Sequence, residues 1–167
     1  MKLKSFIFIL SFFLPLPASV EAQNCGLIDV EIRGVSLAPL YQNGDHLDAV
    51  RRDCLERPII RNDIIVFKSG ASKLPLIKRI IATPGDRFAL RENHLFINDA
   101  AAQNSQGRVF HFPENAKKLI RLYEIQFGGV LPQDIFLVMG ESDGVLDSTR
   151  FGPVHRQDIL YIGLPRD

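Results

Sequence analysis

The chain has 167 residues, a formal net charge of +1, 46% hydrophobic residues and 23% charged ones. That length builds one domain with a real core, and the composition excludes a disordered chain. The near-neutral balance lacks the basic footprint of a polyelectrolyte binder, so nucleic acid is not expected as a partner.

Met1-Lys2-Leu3-Lys4 is a short basic start. The run from Phe6 to Leu14 and on through Pro15-Leu16 is apolar, and Pro17 to Ala22 supplies small residues ahead of Gln23. Residues 1–22 therefore read as a secretory signal peptide. The apolar run is shorter than the roughly 20 residues of a spanning helix. Extended to Val20, it reads instead as a retained N-terminal membrane anchor. Both readings export residues 23–167 as a single domain. Export places Cys25 and Cys54, the only cysteines, in an oxidising compartment that permits a disulfide between them. Two separate thiols are the alternative, because sequence does not fix their geometry.

Beyond the leader the pattern is strand-like. Leu27 to Ile32 alternates apolar and acidic residues, as a half-buried strand does. Asp63 to Lys68 is a short apolar run bounded by turn formers. Leu76 to Ile81 and Arg87 to Leu90 flank the turn signal Thr83-Pro84-Gly85-Asp86. Arg91-Glu92-Asn93 links the second of these to His94-Leu95-Phe96-Ile97. Residues 100–107 read as loop, and Pro113 to Tyr123 as one short helix. Ile135 to Met139 reads as a fully buried strand and Ile159 to Leu164 as the last one. Short strands separated by Gly/Pro turns point to a mostly β domain of folded antiparallel sheets, barrel-like, with one or two short helices at most.

Two residues in this frame fit a single chemistry. A serine hydroxyl is a poor nucleophile until a base removes its proton. A lysine is such a base only when neutral, which takes its pKa from about 10.4 toward 7 or 8 by burial. Ser36 stands in Gly34-Val35-Ser36-Leu37-Ala38-Pro39, and Lys78 in Leu76-Ile77-Lys78-Arg79-Ile80-Ile81. In a strand, Leu76, Lys78 and Ile80 share one face, so Lys78 has aliphatic neighbours. Taken alone, Lys78 and Arg79 read as solvated strand charges, and Ser36 as a turn serine. His46, His94, His111 and His155 are scattered without ligand spacing, so no metal or other cofactor is expected. Asp45 and Asp86 follow glycines and read as turn formers.

The combination of blocks is more specific. Ser36-Leu37-Ala38-Pro39 with Gly44-Asp45, Asn62 to Phe67, Lys78-Arg79 through Pro84-Gly85-Asp86, Gly140, and Asp147-Ser148 through Gly152-Pro153 occur in the order seen in type I signal peptidases, peptidase family S26. The chain resembles that family from about Gly34 to Tyr161, and the Lys-Arg…Pro-Gly-Asp block is matched in full. The resemblance implies Ser36 as acylating nucleophile and Lys78 as general base, with Asp147, Ser148, Arg79 and Arg150 in support. Backbone N–H groups beside Ser36 are expected to hold the oxyanion.

The last block departs from the family pattern. Gly140-Glu141-Ser142 stands for Gly-Asp-Asn, and Arg150 is displaced by one position from its place relative to Asp147. Val145 replaces a serine that helps to orient the lysine, which leaves Ser142 or packing alone for that task. The resemblance implies a serine endopeptidase at the outer, periplasmic face of the cytoplasmic membrane, anchored or soluble. It is expected to act as a monomer on signal-peptide-like precursors. Small size, the altered last block and the cysteine pair are closer to the conjugative-transfer peptidases that process pilin precursors. The rival expectation, fed by Val145 and Thr149, is a catalytically impaired member of the same fold that binds peptide along a sheet edge.

Overall fold

The computed structural model describes residues 25–142, 145 and 147–164, so the expected leader or anchor at 1–22 lies outside the described residues. Among these residues the strands are β1 Ile28–Glu31, β2 His46–Arg51, β3 Ile64–Phe67, β4 Leu76–Ala82, β5 Phe88–Arg91, β6 His94–Ile97, β7 Ala100–Ala101, β8 Ile135–Met139, β9 Val154–His155 and β10 Ile159–Gly163. Helix α1 spans Glu114–Gln126 and the single turn α2 spans Ser148–Phe151. A seven-stranded sheet runs in the order β1-β2-β10-β3-β4-β8-β9, and β5-β6-β7 make a second sheet of three. All the strand pairings are antiparallel. This is the mostly β architecture with two short helices that the strand and turn pattern predicts.

β8 shows why a continuous apolar run is needed at the centre. Its odd residues Ile135, Leu137 and Met139 enter a core shared with α1 and the three-stranded sheet. Its even residues Phe136 and Val138 enter a second core with Ile65, Phe67 and Ile80. A strand that faces two cores has no solvent side, so every residue is apolar. Helix α1 packs on the first core through Ala116, Ile120, Tyr123 and Phe127, which recur at helical spacing along one stripe.

Two elements differ from expectation. β2 is an unforeseen strand: Leu47, Ala49 and Val50 are buried while His46, Asp48 and Arg51 are exposed. That alternation is carried by few apolar residues and follows directly on a turn, which masks it in the sequence. Residues 100–107, expected as loop, contain the two-residue strand β7, whose Ala100 and Ala101 pair with Ile97 and Phe96. Cys25 and Cys54 form a disulfide with Cα atoms 5.4 Å apart. It ties the start of β1 to the turn that follows β2. Among the described residues no helix is long and apolar enough to cross a membrane.

Candidate active site

Ser36 lies on the loop between β1 and β2, and its neighbour Leu37 anchors that loop. Leu37 is fully buried with Ile32, Leu47 and Ile64, and Tyr41 and Ile77 pack against the group. The turn closes through Ala38 N–H to the Val35 carbonyl (3.1 Å) and Tyr41 N–H to the Leu37 carbonyl (3.0 Å), with a cis peptide bond between Ala38 and Pro39. With the Leu37 side chain driven inward, Ser36 is left half-buried at the surface. The Ala38 N–H is spent inside the turn, so it is not an oxyanion donor. Among the described residues the Ser36 and Leu37 N–H groups meet no acceptor.

Lys78 comes from the middle of β4, directly across from Ile65 of β3. Its residue is only 3% exposed. Burial lowers its pKa from the ordinary 10.5 to about 8, against the nearby Asp147 carboxylate, which raises it. The Lys78 ammonium donates to the Ile77 carbonyl at 2.9 Å. The Ser36 hydroxyl reaches the same carbonyl at 3.5 Å, the outer limit of a hydrogen bond. The two groups are therefore gathered over one oxygen atom, and neither hydrogen-bonds the other.

That carbonyl lies on an open edge. β3 pairs with β4 along Leu76–Arg79, whereas the β8 pairing begins only at Arg79. Leu76–Lys78 has no strand partner on the β8 side among the described residues. The geometry leaves a short backbone slot beside Ser36.

Arg79 points to the opposite face of β4 and meets a full set of acceptors. It forms a buried ion pair with Glu141 and donates to Asn62 Oδ1 at 2.7 Å and the Gln103 carbonyl at 2.8 Å. Glu141, completely buried, also accepts from the Ser105 N–H at 2.5 Å. Its own N–H donates to the Ser36 carbonyl at 2.8 Å. The network thus clamps the Ser36 turn, β4 and the 103–105 segment together. Sequence reasoning missed Glu141 as a partner, although a carboxylate standing where the family has aspartate was the available signal.

Gly140 makes the clamp sterically feasible. A Cβ there would fall 2.1 Å from Val145 Cγ2 and 2.9 Å from the Ser36 carbonyl oxygen. Ser142 does not take over the orientation of Lys78. Its hydroxyl donates instead to the Ala38 carbonyl at 3.0 Å and lies 3.4 Å from the Val35 carbonyl, bracing the Ser36 turn.

Asp147 caps α2, its Oδ1 accepting from the Thr149 N–H at 3.0 Å and the Thr149 hydroxyl at 2.7 Å. Burial raises its pKa, with these bonds, the Gly140 N–H and Lys78 acting in the other direction. Ser148 Oγ accepts from the Val138 N–H at 3.0 Å, which fixes α2 to β8. Arg150 is exposed and its side chain forms no ion pair with Asp147; only its backbone N–H bonds the Asp147 carbonyl, at 2.8 Å. Asp86, expected as a turn former, also binds Arg61 through two contacts of 2.8 and 2.6 Å. Its burial favours a raised pKa, but Arg61, the Thr83 N–H and hydroxyl, and Asn98 together hold it down at about 2.

The sequence matches the family model described as signal peptidase, peptidase S26, over residues 5–163. The chain belongs to that family. Signal peptidase I V of Bacillus subtilis (strain 168) is 25% identical over 150 residues, covering 86% of this chain and 88% of that protein. The inactive signal peptidase IA of Staphylococcus aureus (strain COL) is 22% identical over 154 residues, covering 92% of this chain and 86% of its own. A crystal structure of a signal peptidase I from Enterococcus faecalis aligns with a TM-score of 0.44 at 23% identity, covering 62% of this chain and 94% of that one.

Proposed function

We propose that this member of the signal peptidase S26 family is an exported serine endopeptidase with Ser36 as nucleophile and Lys78 as general base. One observation carries the reading: a buried lysine with a pKa near 8 shares the Ile77 carbonyl with Ser36 at the end of an open strand edge. A neutral amine at that place accepts a proton at mildly alkaline pH without a histidine or a metal.

The chemistry runs in two halves. An extended precursor segment lies along the free edge of Leu76–Lys78, with its scissile carbonyl at Ser36. Ser36 Oγ attacks the carbonyl carbon as its proton passes to neutral Lys78 Nζ. The Ser36 and Leu37 N–H groups are the donors free to hold the oxyanion. Collapse breaks the C–N bond, Lys78 gives its proton to the leaving amine, and an ester to Ser36 remains. Water then attacks that ester, losing a proton to Lys78. Collapse frees the new carboxylic acid and restores the serine hydroxyl with the proton that Lys78 returns.

The substrate class is a signal-peptide-like or pilin precursor at the periplasmic face of the cytoplasmic membrane. The full-length protein is tested against a membrane-anchored precursor, beside Ser36→Ala and Lys78→Ala proteins whose folding is checked by circular dichroism. Each variant is expected to lose about a thousandfold or more in kcat/KM, and a metal chelator to leave the parent unaffected. Variants that cleave like the parent would remove the dyad reading. The relative named inactive and the valine at 145 favour a second reading, a module that binds peptide on the same edge. A parent that binds peptide but cleaves no precursor would establish that reading instead.

A further inference from the structure

The open edge of β4 ends at Lys78, and the chain that continues its line is already occupied. β8 pairs with β4 from Arg79 onward, and Glu141, two residues beyond β8, bonds the Ser36 carbonyl. A precursor lying on Leu76–Lys78 cannot continue straight past Ser36. Its leaving half has to turn aside near Ser36, where Ser142 braces the turn and Asp147 lies close enough to act on Lys78.

Ser142 and Asp147 sit at a cavity of about 150 Å³ whose apolar walls include Phe110, Phe112, Ala116 and Met139. All four are buried, and the two phenylalanine rings stack with centroids 6.3 Å apart. Ser142 ties this cavity to the nucleophile turn through its bond to the Ala38 carbonyl. No step of the mechanism above uses it. An apolar cavity of about this size accommodates one benzene ring.

We propose that this cavity is the subsite for the residue that follows the scissile bond, and that it selects precursors carrying an aromatic side chain there. The proposal rests on the endopeptidase reading for its direction of approach. It adds a substrate class: the mature protein would begin with an aromatic residue. Discrimination arises because a ring fills space that an alanine side chain leaves empty. The Asp147 carboxylate, Arg150 and His111 share the lining, so shape and apolar area decide the preference, not charge.

Two measurements on the full-length protein test the subsite separately from catalysis. The first titrates the Ser36→Ala protein with short peptides that differ only in an N-terminal Phe, Leu, Ala or Asp. The Phe peptide is expected to bind about tenfold more tightly than the Ala peptide, and the Asp peptide no more tightly than Ala. Ala116→Leu, and in a second protein Ala116→Phe, fill the cavity and are expected to erase the difference. Equal binding of the Phe and Ala peptides by Ser36→Ala overturns the proposal, whether or not the cavity-filling variants fold. The second follows kcat/KM of the parent on precursors varied at the same position. Cleavage without discrimination sinks the subsite and leaves the peptidase standing. A binding preference without any cleavage keeps the subsite and removes the catalytic reading.

Discussion

Lys78 and Arg79 are adjacent in β4, equally out of water, and treated in opposite ways by the fold. On the Lys78 face the ammonium has one hydrogen bond, to a neighbouring carbonyl, and Asp147 as the anion acting on it. On the Arg79 face the guanidinium meets a buried carboxylate, a side-chain amide and a backbone carbonyl. Burying a charge without a matched partner makes its neutral form cheaper, and lysine can shed its proton whereas arginine cannot. The bare face therefore leaves a lysine whose pKa falls to about 8, and the furnished face yields a permanent cation that holds loops together. Period-two alternation puts these two environments one residue apart.

The contrast breaks most visibly on the Arg79 side. Glu141→Ala strands the guanidinium, and a loss of about 3–5 kcal/mol in unfolding free energy is expected from urea titration. Replacing Arg79 by Met and Glu141 by Leu together is expected to cost much less, because no uncompensated charge remains.

Lys78 responds through pH. Below about 8 the amine is protonated in both folded and unfolded chains. Between about 8 and the ordinary 10.5 the unfolded chain keeps a proton that the folded protein has lost. Stability contributed by this group therefore rises with pH across that window, by about 3 kcal/mol, and is level on either side. Lys78→Met is expected to abolish this rise when denaturation of parent and variant is compared from pH 7 to 10.5. An identical rise in both would show that Lys78 is not the group responsible.

The smallest effect belongs to Asp147. In the parent, kcat/KM is expected to climb with pH and level off near the Lys78 pKa of about 8. Asp147→Asn removes the charge that favours the ammonium, so the inflection moves toward lower pH. The isosteric amide keeps an oxygen for the Thr149 bonds that cap α2. A profile unchanged by Asp147→Asn would mean that Asp147 acts on α2 alone.

Much of this arrangement was legible in advance, for local reasons. β3 and β8 announced themselves as short apolar runs, β4 and β5 as strands flanking the Thr83-Pro84-Gly85-Asp86 turn, and α1 as a short helix after Pro113. The Ser36 and Lys78 blocks stood out as residue types whose chemistry is complementary. β2 escaped because its alternation rests on few apolar positions. The exchange of roles in the 140–150 region escaped for a different reason. Ser142 was a candidate for orienting Lys78 and instead braces the Ser36 turn, while Glu141, read only as a departure from the family's aspartate, is the partner of Arg79. Polar side chains choose partners by distance and direction, which spacing along the chain does not encode.

The sequence by itself determined the mostly β class, the family and the two residues on which catalysis is proposed to rest. Those depend on composition, periodicity and short motifs, all properties of neighbours in the chain. Only the tertiary structure decided which charge on β4 is held by matched partners and which is weakened by burial. Desolvation and pairing are set by Ile65, Asn62, Gln103, Glu141 and Asp147, most of them far from β4 in sequence and brought to it by packing. The shared Ile77 carbonyl, the open edge beside it and the apolar cavity beyond Asp147 belong to the same category, because each is a space between segments that the chain order leaves apart.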